Sequence, residues 1–187
     1  MRIIGGKYAG RRLAKPIDNF IRPTTDRVRE SVFNILEHCT DGFFSEKRIL
    51  DLFAGTGALG FEALSRGAAS VVFVDSSVQA RALIQKTIES LSLQACCRLL
   101  RRDATCLGEA GTMKAFDIVF ADPPYNSSLG EKAFVSAHEG GFLSKGAYCI
   151  LEEALEAQIE LPDFFKKIDE RIYGQTIIYF YNYMYEG

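Results

Sequence analysis

The chain has no pair of cysteines at C-x-x-C spacing. Its five cysteines, Cys39, Cys96, Cys97, Cys106 and Cys149, are an odd number. That argues against a disulfide framework, and without the paired spacing a zinc site loses its ligand pattern too. They are read as reduced thiols, most of them in the core. Histidine is scarcer still: His38 and His138 are the only two, and neither has a Cys or an acid at ligand spacing. Both are expected at surface or helix-end positions, and no metal is expected. No apolar run approaches ~18 residues, so no membrane-spanning helix is expected. With 48% hydrophobic and 25% charged residues, disorder is not favoured either. The opening stretch "MRIIGGKYAGRRLAKP" carries charge but no continuous apolar segment or small-residue cleavage site, so no secretory signal is read there and a cytoplasmic location is the expectation. Internal repeats and low-complexity linkers are also missing. The 187 residues suit one ordinary domain plus an extension.

What is present begins with charge. The net charge of -2 conceals a strong asymmetry. Residues 1–30 hold eight basic residues (Arg2, Lys7, Arg11, Arg12, Lys15, Arg22, Arg27, Arg29) against three acids, which leaves 14 basic and 21 acidic residues in the rest of the chain. A basic arm on an acidic body fits a polyanionic partner, because clustered Lys and Arg neutralise phosphates. A solvated tail is the plainer alternative.

Hydrophobic periodicity then orders the chain. The stretch "RPTTDRVRESVFNILEH" predicts a helix with Thr24, Thr25 and Asp26 available as caps and Val28, Val32, Phe33, Ile35 and Leu36 as its apolar stripe. From Arg48 onward, short apolar runs ending in acids ("RILDLF", "SVVFVD", "CRLLRRD", "FDIVFAD", "AYCILEE") alternate with helical stretches. This pattern predicts a parallel sheet with crossovers on both faces and the acids at the carboxyl ends of the strands, where open α/β sheets bind ligands. The end, "FKKIDERIYGQTIIYFYNYMYEG", reads as two strands meeting near Gly174 with no room for a crossover helix, hence an antiparallel pair.

The first run leads into "ILDLFAGTGALG", in which Gly55, Gly57 and Gly60 form G-x-G-x-x-G between a strand and a predicted helix over 58–66. The glycines allow a tight turn, close ligand approach and close helix packing. Asp75 follows twenty residues after Gly55, where an acid can accept from ribose hydroxyls. An adenosine cofactor fits. Asp51 would repel a pyrophosphate and welcome a cation, and the loop has no Arg or Lys to hold phosphates, so S-adenosyl-L-methionine is favoured over NAD. Asp103 could accept from an adenine amine, or could be a simple surface acid.

The fourth run ends in "FADPPYN". An exocyclic base amine is a poor nucleophile because its lone pair is delocalised. A carboxylate and a main-chain carbonyl accepting its two N–H bonds would favour a pyramidal nitrogen. Asp122 and the Pro123 carbonyl could be those acceptors, the diproline holding that carbonyl rigid, while Tyr125 offers a face on which an extruded base can stack.

"DPPY" with "DLFAGTG" resembles the amino-group nucleic-acid methyltransferases of the class I, Rossmann-like type. "RIIGGKYAGRRL", "RPTTDRVRESVFNIL", "LDLFAGTGALGFEALSRGA", "VFADPPY" and "YGQTIIYFY" together resemble the RsmD family, bacterial enzymes that methylate a guanine N2 in 16S ribosomal RNA, nearly end to end. The resemblance implies a class I SAM-dependent methyltransferase fold: a mostly parallel seven-stranded sheet with a C-terminal antiparallel hairpin. Residues 1–40 would be the basic, RNA-contacting extension and its helix, and residues 41–187 the methyltransferase domain. It also implies Arg22, Pro23 and Thr24 beside the cofactor; Asp51, Ala54, Gly55, Gly57 and Leu59 on its methionine side; Asp75 at the ribose; Asp103 and Ala104 at the adenine edge. By the same resemblance, Asp122, Pro123 and Tyr125 would form the target-amine site, and Arg2, Lys7, Arg11, Arg12 and Lys15 the RNA-binding set. Two departures stand out: Asp75 where the family commonly has Glu, and Thr87 where relatives tend to carry Asn. No functional consequence is attached to the second.

The implied activity is direct methyl transfer to guanine N2 of 16S rRNA, free or in the assembling 30S subunit, by a monomer. No metal, covalent cysteine or histidine base is called for. The same acceptors would suit adenine N6 or cytosine N4 of DNA, a reading lowered because no part of the chain is large enough to be a separate DNA-reading domain. An inactive RNA-binding assembly factor is a third reading, opposed by the intact set of Asp51, Gly55, Gly57, Asp75 and Asp122.

Overall fold

The computed structural model describes residues 1–15, 26–39, 42–125 and 128–185. Arg22, Pro23, Thr24, Thr25 and Asn126 lie outside the described residues.

Seven strands form one sheet in the order β3-β2-β1-β4-β5-β7-β6. The strands are β1 (Arg48–Leu52), β2 (Ser70–Val74), β3 (Cys97–Leu100), β4 (Phe116–Ala121), β5 (Leu143–Ala154), β6 (Phe165–Tyr173) and β7 (Thr176–Tyr183). The first five pair in parallel, and β7 enters antiparallel between β5 and β6. The helices are α1 (Asp26–Cys39), α2 (Ala58–Ser65), α3 (Val78–Leu91) and α4 (Leu129–Glu139). The expected class I architecture and its terminal hairpin are both present. Gly174, at φ 63°, takes the first central position of the two-residue β6–β7 turn, where only glycine is unstrained.

The period-2 alternation of the strands divides the core into two layers. Ile49, Phe73, Ile118, Phe120, Ile150 and Phe180 point to one face and pack under α1, α2 and α3. Leu50, Leu52, Val74, Val119 and Leu151 point to the other and pack against Phe134 of α4 and the loop carrying Ala104 and Leu107. Strands buried on both faces explain why the runs read as continuous apolar segments.

The two regions expected to divide near residue 40 share one core. Ile3 (1% exposed), Leu13 (3%) and the α1 residues Val32, Phe33 and Leu36 all belong to the first layer. The arm is also latched by polar bonds. Glu62 of α2 accepts from the Ile4 and Gly5 amides at 2.7 and 2.8 Å, Ser65 Oγ accepts from the Tyr8 amide at 2.8 Å, and Thr87 Oγ1 of α3 accepts from the Ala14 amide at 3.2 Å. Thr87, given no role from sequence, therefore anchors the arm.

Three expectations are corrected. Only Cys149 is a buried thiol; Cys39 and Cys106 are exposed, because Cys39 ends α1 and Cys106 sits in a surface loop. Asp103 lies three residues beyond β3, since the ladder to β2 stops at Leu100 opposite Val74. Glu152 and Glu153 lie inside β5 because β7 extends the pairing to Ala154.

Candidate active site

The strand order reverses between β1 and β4, the topological switch point at which open α/β sheets leave a crevice. Leu52 of β1 pairs with Val74 of β2 on one side and Ala121 of β4 on the other. The residues that follow, Phe53, Asp75 and Asp122, therefore leave the sheet at one level. Asp75 and Asp122 flank the glycine loop at about two strand spacings, roughly 10 Å.

The loop turns sharply: Phe53, Gly55 and Gly57 have φ of 55°, 55° and 76°. Phe53 holds a left-handed conformation that costs a non-glycine residue about 1 kcal/mol or more. The Ala54 amide donates to the Val74 carbonyl at 3.1 Å and the Gly55 amide to Asp75 Oδ2 at 2.8 Å, which ties the loop to the end of β2. At Gly57 a Cβ would come within 2.7 Å of the Phe61 ring, and at Gly60 within 2.4 Å of the Phe73 ring. The last glycine thus serves helix-to-sheet packing.

Asp75 uses both oxygens on backbone, accepting from Gly55 and, at 2.8 Å, from the Ser77 amide. Each carboxylate oxygen keeps a second lone pair, so this half-buried acid can still accept from a diol. Asp51 lies inside β1, 2% exposed, beneath the loop. Its Oδ2 accepts from the Gly60 amide at 3.0 Å. Burial holds its pKa well above the ordinary carboxylate value of 3.8; the Gly60 bond opposes this, and Asp122 and Asp75 reinforce it. Asp51, Asp75 and Asp122 converge here, and the neighbouring Arg81 guanidinium is committed to the Asp75 and Ser76 carbonyls at 3.1 and 2.6 Å, so a ligand bearing positive charge is the electrostatic complement of the carboxylates.

Asp103 is exposed, and the Thr105 amide and hydroxyl bonds at 2.9 and 2.8 Å hold it below the usual carboxylate value. Ala104 beside it is buried. Ala54 is buried and Leu59 half-buried on the inner side of the loop. Asp122 and Tyr125 are half-buried and Pro123 buried. The Tyr125 hydroxyl donates to Glu152 Oε1 at 2.8 Å and contacts Thr176 Oγ1 at 2.9 Å. Burial first, then the nearby acids, push its pKa up to about 12 against the Thr176 bond, so the phenol keeps its proton at neutral pH.

Arg2, Lys7, Arg11, Arg12 and Lys15 are all exposed. Arg29 is not part of that basic face: it is fully buried, with Nη2 donating to the Arg2 carbonyl at 2.6 Å and to Asp26 at 3.1 Å. Thr56 in the loop donates to Met1 Sδ at 3.1 Å, so the arm reaches the glycine loop. Sequence reasoning passed over Glu152, Thr176 and Thr56. Only Glu152 carried a signal, as an acid closing an apolar run. Among the described residues no group of His, Cys, Asp and Glu could hold a metal, and no helix is long and apolar enough to cross a membrane.

The chain is similar to known proteins in sequence and in fold. Ribosomal RNA small subunit methyltransferase D of Escherichia coli strain K12 is 35% identical over 191 residues, covering 100% of this chain and 92% of the relative. The solved structure of yhhF from Escherichia coli superposes with a TM-score of 0.83 at 32% identity over 98% of each chain. The Thermus thermophilus 16S rRNA N2 G1207 methyltransferase, solved with AdoMet and guanosine, shares the fold at a TM-score of 0.68 and 23% identity, over 87% of this chain and 44% of that one. The profile described as Conserved hypothetical protein 95 matches residues 1–182, and the chain belongs to that family, the family of ribosomal RNA small subunit methyltransferase D.

Proposed function

We propose that the protein transfers a methyl group from S-adenosyl-L-methionine to the exocyclic N2 amine of a guanine in 16S ribosomal RNA. The observation that carries this reading is the shared exit level of β1 and β4, which sets the glycine loop and Asp122-Pro123-Pro124-Tyr125 beside one another at the switch point. The residues present fit the cofactor: a glycine turn closed to any Cβ at Gly57, an acid with spare acceptor capacity at Asp75, and a convergence of carboxylates suited to a sulfonium and an ammonium. The cofactor supplies an electrophilic methyl group when bound. Gly55, Gly57, Ala54 and Leu59 shape its methionine side, Asp75 accepts from its ribose, and Asp103 with Ala104 borders its adenine; Arg22, Pro23 and Thr24 complete the set.

Asp122 and the Pro123 carbonyl accept the two N–H bonds of the amine, keeping its lone pair directed outward, and Tyr125 stacks the base. The methylated nitrogen then carries one proton too many and releases it past Asp122 to solvent. Arg2, Lys7, Arg11, Arg12 and Lys15 neutralise RNA phosphates, and residues 1–40 serve as the RNA-contacting part of a monomer acting in the cytoplasm. Asp122→Ala tests the assignment. Methyl incorporation into RNA should vanish while calorimetric cofactor binding stays near wild type; near-normal turnover in the folded variant contradicts it.

A further inference from the structure

The Tyr125 hydroxyl is tied from two sides to the antiparallel half of the sheet. It donates to Glu152 Oε1 and contacts Thr176 Oγ1. A phenol has one proton, so with that proton given to Glu152 the Thr176 hydroxyl is the donor in the second contact. Glu152 belongs to β5 and Thr176 opens β7. Glu152 pairs with Ile178 and Ala154 with Thr176, which places the two side chains diagonally on one face. Both are 8% exposed, and a continuous ladder holds their backbone. The stretch from Asp122 to Tyr125 belongs to no helix or strand. Glu152 also lines, with Arg29, Val32, Leu59 and Ile178, a void of ≈ 10 Å³, room for one water.

We propose that Glu152 and Thr176 are positioning residues that hold the Tyr125 ring as a fixed wall beside Asp122 and so set where an extruded base comes to rest. The proposal rests on the methyl-transfer reading above. It makes the C-terminal hairpin part of the target-base site through the second hydroxyl contact, although neither residue touches the reacting atoms. Because the ring is fixed from the sheet, losing the tether misplaces the base without disturbing the cofactor loop on β1.

The test is single-turnover methyl transfer to RNA, with cofactor affinity measured on the same variants. Tyr125→Phe keeps the ring and loses the tether; the rate should fall on the order of ten-fold, as for a small misplacement of a reacting group, with cofactor Kd unchanged. Glu152→Ala should fall alike, Glu152→Gln should recover most of the loss because an acceptor oxygen remains, and the Tyr125→Phe/Glu152→Ala double variant should be no slower than either single. A second readout does not need turnover: three-bond couplings of the Tyr125 side chain should report one χ1 rotamer in the wild type and averaging in Glu152→Ala. A wild-type rate in Tyr125→Phe, additive losses in the double variant, or a single rotamer in Glu152→Ala each overturns the proposal and leaves the methyl-transfer reading standing. A wild-type protein that transfers no methyl to RNA overturns that reading instead, and the couplings then decide whether the wall is fixed.

Discussion

Glu62→Ala should loosen the basic arm and lower stability more than any surface change. The Glu62 side chain is fully buried and accepts four contacts: the Ile4 and Gly5 amides at 2.7 and 2.8 Å, Arg66 Nε at 2.9 Å, and the Arg29 guanidinium at 3.9 Å. Arg29 is itself fully buried, and its Nε and Nη1 have no hydrogen-bond partner among the described residues; the exposed Asp26 at 3.1 Å from Nη2 and the buried Glu62 at 3.9 Å from Nε compensate its charge together. Removing one partner of a buried ion pair costs about 3–5 kcal/mol. For a domain of this size 1 kcal/mol moves Tm by about 2–4 °C, which gives a fall of about 6–20 °C. Glu62→Gln keeps the volume and one acceptor and should fall less. Thermal unfolding followed by circular dichroism reads the first effect; limited trypsin cleavage at Lys7, Arg11 and Arg12 reads release of the arm. A melt within about 1 °C of wild type, with the arm no more cleavable, refutes the latch, because screening by salt does not reach a pair buried this deeply.

Asp51→Asn should stabilise the ligand-free protein while weakening cofactor binding. The folded protein raises the pKa of Asp51 above 3.8, so the folded state holds its proton to higher pH than the unfolded chain does. Its contribution to stability is full below that ordinary value and is lost as pH rises through the raised one. The wild-type-minus-variant melting difference should therefore turn against the wild type as pH rises; a difference flat with pH refutes it. Thr87→Val removes the acceptor of the Ala14 amide and should speed hydrogen exchange at that amide, at a cost of about 1–3 kcal/mol for an unsatisfied group; unchanged exchange counts against the anchor. Gly60→Ala drives a methyl to 2.4 Å from the Phe73 ring and should lose about 1–3 kcal/mol by overpacking, read by denaturant unfolding. A neutral result would mean α2 rides freely over β2.

Local chemistry was the legible part of this protein. Gly55, Gly57, Asp75 and Asp122 sit at strand ends because a strand-to-helix turn and a diproline stop are written in adjacent residues, and Gly174 marks the hairpin in the same way. Contacts between distant residues were not legible. Glu62 meets Ile4 at a separation of 58 residues, Thr87 meets Ala14 at 73, and Tyr125 meets Thr176 at 51, and no periodicity encodes such pairs. Arg29 shows the cost of counting charge along a chain. It adds to the basic total of residues 1–30, yet it stands on the inward face of α1 with Val32, Phe33 and Leu36. Glu62 left a faint trace as the lone acid within the apolar helix "ALGFEALS", which in hindsight marks a buried partner for such an arginine.

The most direct test is to identify the methylated nucleoside. Purified protein with methyl-labelled S-adenosyl-L-methionine is offered 16S rRNA and 30S particles in parallel, and the RNA is digested to nucleosides and resolved by mass spectrometry. The label should appear in N2-methylguanosine at a single position. Label in any other nucleoside, or none on either substrate, contradicts the account.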